Sequence, residues 1–215
     1  MLCSARNDVC SVGRSMIEML GVLAIVGVLS VGGIAGYSKA MEKFKVNKAI
    51  GEYSYLIHGL LEHLDDFILS NSEDDRIPLS NVFKAAGLIP SNWSGENWLN
   101  DSIGNQVFIF SQNGLVVMSI KIGGLVKDEN NLDISTGFSP VFCRELFLNI
   151  AKPLSSEIYD VYVFLGNGRR INFLGSKYCN KTYKCLNNIA LAEIDSACKL
   201  CENGKASCDV SFVFK

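Results

Sequence analysis

Between Met16 and Tyr37 the chain runs 22 residues, MIEMLGVLAIVGVLSVGGIAGY, with two polar side chains, Glu18 and Ser30, and no Pro, Lys or Arg. A helix of that length rises about 33 Å at ~1.5 Å per residue, enough to cross the ~30 Å hydrocarbon core of a bilayer. Glu18 breaks the apolar pattern just inside its start. An acidic residue within a membrane helix costs roughly 2.5–3.5 kcal/mol on insertion scales, and less near the end. Its presence there asks for a partner. A secretory signal peptide is a poor fit, because the run is too long and no small-residue cleavage site follows it. The plain alternative is a single-pass anchor with Glu18 reaching the headgroups.

The helical pattern changes after Tyr37 without a break. Met41, Phe44, Ile50, Tyr53, Ile57, Leu60, Leu61, Leu64, Phe67 and Ile68 recur at steps of three and four, with Glu42, Lys43, Lys45, Lys48, Glu52, Glu62, Asp65 and Asp66 between them. That is an amphipathic helix, apolar stripe inward and charges outward. It predicts one continuous rod to about Ser70, ending in the polar run 71–76 before Pro78. His58 and His63 are five apart, a spacing that does not stack two ligands on one helix face, so they read as surface histidines.

Beyond the rod the signals are local. Leu79 to Ala86 predicts a short helix capped by Gly87. Trp93 and Trp98 read as hydrophobic anchors of the following loop, with sugar binding as the alternative. Val107–Gln112 and Leu115–Ile122 flank Asn113-Gly114, the strongest short hairpin signal. Ser139-Pro140 opens a helix to Ala151, with Cys143, Leu146, Phe147 and Ile150 on one face. Ile158–Leu165 and Arg170–Leu174 form a second strand pair. Its Gly-Asn-Gly-Arg-Arg turn is not a phosphate loop, because no helix start follows. A helix over Ile189–Cys201, ended by Gly204, and a strand over Asp209–Phe214 close the chain.

Of eight cysteines, Cys3 and Cys10 precede the apolar run, and Cys143, Cys179, Cys185, Cys198, Cys201 and Cys208 follow it. An even set on an exported domain reads as a disulfide framework, with zinc as the rival for the thiols. Cys143 is expected to pair with Cys198 or Cys208, and Cys179 with Cys185 as a local bridge. No catalytic constellation and no cofactor motif is visible, so the chain reads as a non-enzyme. A net charge of −2 argues against an electrostatic nucleic-acid binder.

Gly13-Arg14-Ser15-Met16-Ile17-Glu18 followed by the apolar run resembles the processing site of type IV pilins and their pseudopilin relatives. The resemblance implies that a prepilin peptidase cuts after Gly13, making Arg14 the first mature residue and Glu18 the fifth. The family usually begins with Phe, Met or Leu, so Arg14 is a departure. It further implies a leader over 1–13, a membrane and filament-core helix over 14–37, its amphipathic continuation over 38–70, and a globular head over 71–215. The implied fold is α+β: the long N-terminal helix packed on an antiparallel sheet, with a disulfide-bounded C-terminal region that ties the sheet's edge to the helix. The missing helix-bending proline and the long head resemble the type IVb branch.

Function by resemblance is assembly. The subunit waits in the bacterial inner membrane with its head in the periplasm, then polymerises with copies of itself through pilus or secretion machinery into an extracellular filament. Glu18 would meet the positive N-terminus of a neighbour, an ion pair that sets register more than it adds stability. A secretion pseudopilin or minor pilin, and a non-polymerising single-pass envelope protein with an exported binding domain, are the alternatives.

Overall fold

The computed structural model describes residues 16–68, 76–135, 137–165, 168–201 and 207–215. The expected leader with Gly13 and Arg14, the rod's end at Ser70, the Gly166-Asn167 turn and Gly204 lie outside the described residues.

Helix α1 spans Met16–Glu62, and the chain divides into two compact units, 1–44 and 45–215. The long helix is interrupted at His63 and resumes for one turn as α2, Leu64–Phe67, so it stops short of the expected single rod. The second unit then runs β1 (Ile77–Pro78), α3 (Ser80–Ala85), β2 (Ser94–Gly95), β3 (Trp98–Asn100), β4 (Gln106–Gln112), β5 (Leu115–Lys121), β6 (Val126–Lys127), β7 (Asp133–Ile134), α4 (Pro140–Leu146), β8 (Ile158–Leu165), β9 (Arg170–Leu174), β10 (Lys184–Cys185), α5 (Leu191–Lys199) and β11 (Cys208–Phe214).

Local chemistry accounts for most of these elements. Asn113 and Gly114 take φ of 52° and 71°, the left-handed pair that a two-residue hairpin turn requires, and they join β4 to β5. The Ser139 hydroxyl accepts from the Phe142 N–H at 3.2 Å and Pro140 opens α4, which continues as one wide turn over Phe147–Ala151. Gly87 at φ 70° follows α3 where only a residue tolerant of that region can end a helix this way.

The main sheet has the order β10-β9-β8-β11-β5-β4-β3-β2, with β1 also on β4; every pairing is antiparallel except β10 on β9. The C-terminal region was expected to tie the sheet's edge to the helix, but its strand β11 is not an edge strand. It lies in the middle instead, paired with β8 on one side and β5 on the other. The sequence DVSFVF suits that place, since Val210, Phe212 and Phe214 are fully buried on one face. They meet Val46, Ala49, Tyr53, Leu56, Ile57 and Leu60 of α1 and Phe142, Leu146 and Phe147 in a single core. The fold is therefore α+β, a helical layer on one face of a largely antiparallel sheet.

Candidate functional site

The feature that most needs a function is the first part of α1. From Met16 to Ala40 every residue is exposed, with Met16 at 88%, Leu23 at 65% and Ile34 at 70%. Exposure on this scale is far beyond the scattered surface apolar residues of a soluble domain. The helix is long and apolar enough to cross a membrane. Ser30 is compatible with that setting, because its hydroxyl donates to the Val26 carbonyl at 2.7 Å and needs no outside partner. Glu18 sits exposed in the first turn, where a carboxylate complements the partial positive charge of a helix N-terminus.

From Val46 onward the same helix is held by polar as well as apolar contacts. The Tyr53 hydroxyl, wholly buried, donates to Asp101 Oδ2 at 2.8 Å. Asn105 Nδ2 donates to the same oxygen at 2.7 Å, and the backbone N–H groups of Ile103 and Asn105 donate to Oδ1 at 2.9 and 2.8 Å. Burial first, then the Asp101 charge, push the Tyr53 phenol well above its ordinary value, so it remains a donor. A four-donor cradle around a buried carboxylate satisfies it without a cation.

Glu52 was expected among the outward charges. Its side chain is only 11% exposed and faces the loop that follows α3. It accepts from Asn92 Nδ2 at 2.7 Å, Trp93 Nε1 at 2.9 Å and Ser102 Oγ at 2.6 Å. Burial pushes its carboxyl up, but those three donors and Lys48 outweigh it and hold the pKa below the ordinary range. Helical periodicity could not show this, because position 52 borders the apolar stripe and the partners lie about forty residues on.

The two tryptophans separate. Trp93 is buried, edge-on to Tyr53 with ring centroids 5.0 Å apart, and anchors its loop. Trp98 is 41% exposed and lies on the other face of the sheet, stacked on Phe108 at 4.7 Å. His58 and His63 are exposed, 3.5 Å from Glu62 and Asp66 respectively.

The six cysteines beyond the helix pair as Cys143–Cys198, Cys179–Cys185 and Cys201–Cys208, with Cα separations of 5.9, 5.6 and 5.6 Å. Of the two partners expected for Cys143, the fold supplies Cys198, because α4 packs beside α5. Cys201–Cys208 ties the end of α5 to the start of the central strand β11. Among the described residues no group of three or more His, Cys, Asp or Glu is placed to hold a metal ion.

Comparison with protein-family models, with curated proteins and with solved structures finds no match, so the reading of function rests on the residues and their geometry alone.

Proposed function

We propose that this chain is a structural subunit of a type IV pilus or a related filament, processed after Gly13 and polymerised through the first part of α1. The observation that carries the reading is the division of α1: an apolar surface exposed from Met16 to Ala40, then a stripe built into the core of the head from Val46 to Leu60. An apolar helix of that length is stored in a bilayer before assembly and buries its surface against copies of itself afterwards. The Gly13-to-Glu18 pattern supports the processing step, and the disulfide-braced head supports an exported, exposed location. In this account the prepilin peptidase and the pilus or secretion machinery are partners, and Glu18 docks on the N-terminus of the next subunit.

Intact-mass measurement of protein extracted from membranes tests the reading. The expected chain begins at Arg14, and Gly13→Leu leaves residues 1–13 attached. A wild-type chain that keeps those residues, or a mature-sized product from Gly13→Leu, contradicts it.

The second reading, a single-pass envelope protein with an exported binding domain, is favoured by one observation: a lined trough on the outer face of the sheet. A binding head and a filament subunit are compatible.

A further inference from the structure

The face of the sheet turned away from α1 has no layer of secondary structure among the described residues, yet its centre is not flat. Trp98, Phe108, Ser119, Ser211, Tyr162 and Asn172 lie directly across from one another on successive strands from β3 to β9. Large rings at either side of two serines leave a trough of about 350 Å³. Its floor is the Ser211 hydroxyl donating to the Ser119 hydroxyl at 3.0 Å. On one side Trp98, Phe108 and Phe110 form a continuous stack, with centroid spacings of 4.7 and 5.0 Å. Tyr162 and Phe164 form the other side.

Three cations line the trough, each set over a ring: Lys121 over Trp98 at 4.7 Å, Arg76 over Phe110 at 5.2 Å and Arg170 over Tyr162 at 3.7 Å. Arg170 is also held by Asp160 at 2.7 Å. Asp209 lies at the trough, cross-strand from Lys121 and Phe164. Its Oδ1 is covered and has no hydrogen-bond partner among the described residues. A buried acceptor left without a donor is costly and calls for a proton.

We infer that this trough binds an acidic saccharide, with Trp98 stacking on a sugar ring and Lys121, Arg76 and Arg170 facing its carboxylate. Aromatic rings suit the C–H faces of a sugar. An excess of cations over acids suits its carboxylate. The volume fits one or two sugar rings. It is too small for the surface that a second copy of this chain would have to cover. Three cations at one trough, on a chain of net charge −2, make no extended track for a nucleic-acid backbone.

The same geometry sets a pH dependence. Burial raises Asp209 to about 6, opposed by Lys121, a hydrogen bond from Ser119 and Arg76. The charged groups facing it are Lys121 on β5, Arg76 before β1, and the Asp160–Arg170 pair on β8 and β9. Below that value Asp209 is neutral, so Lys121 and Arg76 act on the sugar's carboxylate, which is still ionised, without its opposing charge. Affinity therefore falls as pH rises through about 6.

The test titrates the full chain, in a detergent without a sugar headgroup, with tri-galacturonate and with the neutral trisaccharide maltotriose, read by tryptophan fluorescence and calorimetry. Tri-galacturonate is expected to saturate and to bind at least about ten-fold more tightly than maltotriose. Trp98→Ala should weaken it about ten-fold and Lys121→Met about three-fold, both with unchanged melting temperature. Raising the pH from about 5 to about 7.5 should weaken wild type but not Asp209→Asn. Absence of saturation, equal binding of maltotriose, or indifference to both Trp98→Ala and Lys121→Met overturns the proposal. So does tighter, Trp98-dependent binding of a thymidine oligonucleotide, or a Trp98-dependent dimer in sedimentation. Binding is measured on unassembled chain, so it fails or succeeds independently of the filament reading.

Discussion

Residues 16–44 and 45–62 belong to one helix and meet opposite conditions. In the earlier part Leu20, Ile25 and Leu29 are 63–68% exposed, and the apolar side chains point all round the axis. In the later part Ala49, Tyr53, Leu56, Ile57 and Leu60 are fully buried on one stripe, while Lys45 and Lys48 remain outside. One part has its apolar surface satisfied within the chain. The other leaves its apolar surface exposed, on a helix long and apolar enough to cross a membrane. Secondary structure alone does not distinguish them; the partner of the apolar surface does.

The largest contrast comes from truncating one buried ring. Phe212→Ala in the central strand should cost about 3–5 kcal/mol in chemical denaturation of the full chain, through lost burial and a residual cavity. Leu20→Ala should leave that transition within about 0.5 kcal/mol, because Leu20 touches no core. A Leu20→Ala chain that destabilises the head would break the comparison.

The disulfides grade the head itself. Cys143–Cys198 spans 55 residues, for which chain entropy gives roughly 4 kcal/mol, against roughly 2 kcal/mol for Cys179–Cys185, which spans 6. Paired Cys→Ala variants measured by denaturation should keep that order. Equal losses would mean that the Cys143 link is not what holds α4 to α5.

A smaller effect sharpens how α1 is fastened. Tyr53→Phe removes one of the four donors to Asp101 and should cost about 1–2 kcal/mol, with far-UV circular dichroism unchanged. A neutral result would place the fastening in apolar contact alone.

A further effect is in pH. Asp209 has its carboxyl raised to about 6 in the folded state, against about 4 unfolded. Between those values the folded chain holds the extra proton, so this group favours folding below about 4 and that contribution is lost as pH rises through about 6. Glu52, held low, runs the other way: its contribution is present above the unfolded value and lost as pH falls. Asp209→Asn should flatten the decline in melting temperature between about pH 4 and about pH 6, and leave the acid limb.

What the sequence made legible was local. Asn113-Gly114, Ser139-Pro140, Gly87 and the strand pair Ile158–Leu165 and Arg170–Leu174 each carry their instruction within a few residues, and the structure places them as read. Three features needed partners far along the chain. The central position of β11 depends on strands β5 and β8, whose facing residues lie about ninety and about fifty positions earlier. Glu52 looked like a solvent charge until the loop at 92–102 closed over it. The trough collects residues from seven stretches between Arg76 and Ser211, each unremarkable alone. Trp98 was the one signal that could have pointed there, and only the fold separates it from the buried Trp93.

The central claim is that the exposed half of α1 is an assembly surface whose register is set by Glu18. The direct measurement is co-expression of Glu18→Ala with wild-type chain, followed by mass analysis of sheared surface filaments and of the membrane fraction. The account predicts filaments built of chains beginning at Arg14, with the variant normal in the membrane and at least about five-fold depleted in filaments, as expected for loss of a register-setting ion pair. Filaments that contain the variant in proportion to its membrane level, or a chain confined to the membrane with residues 1–13 attached and no filaments, would contradict it.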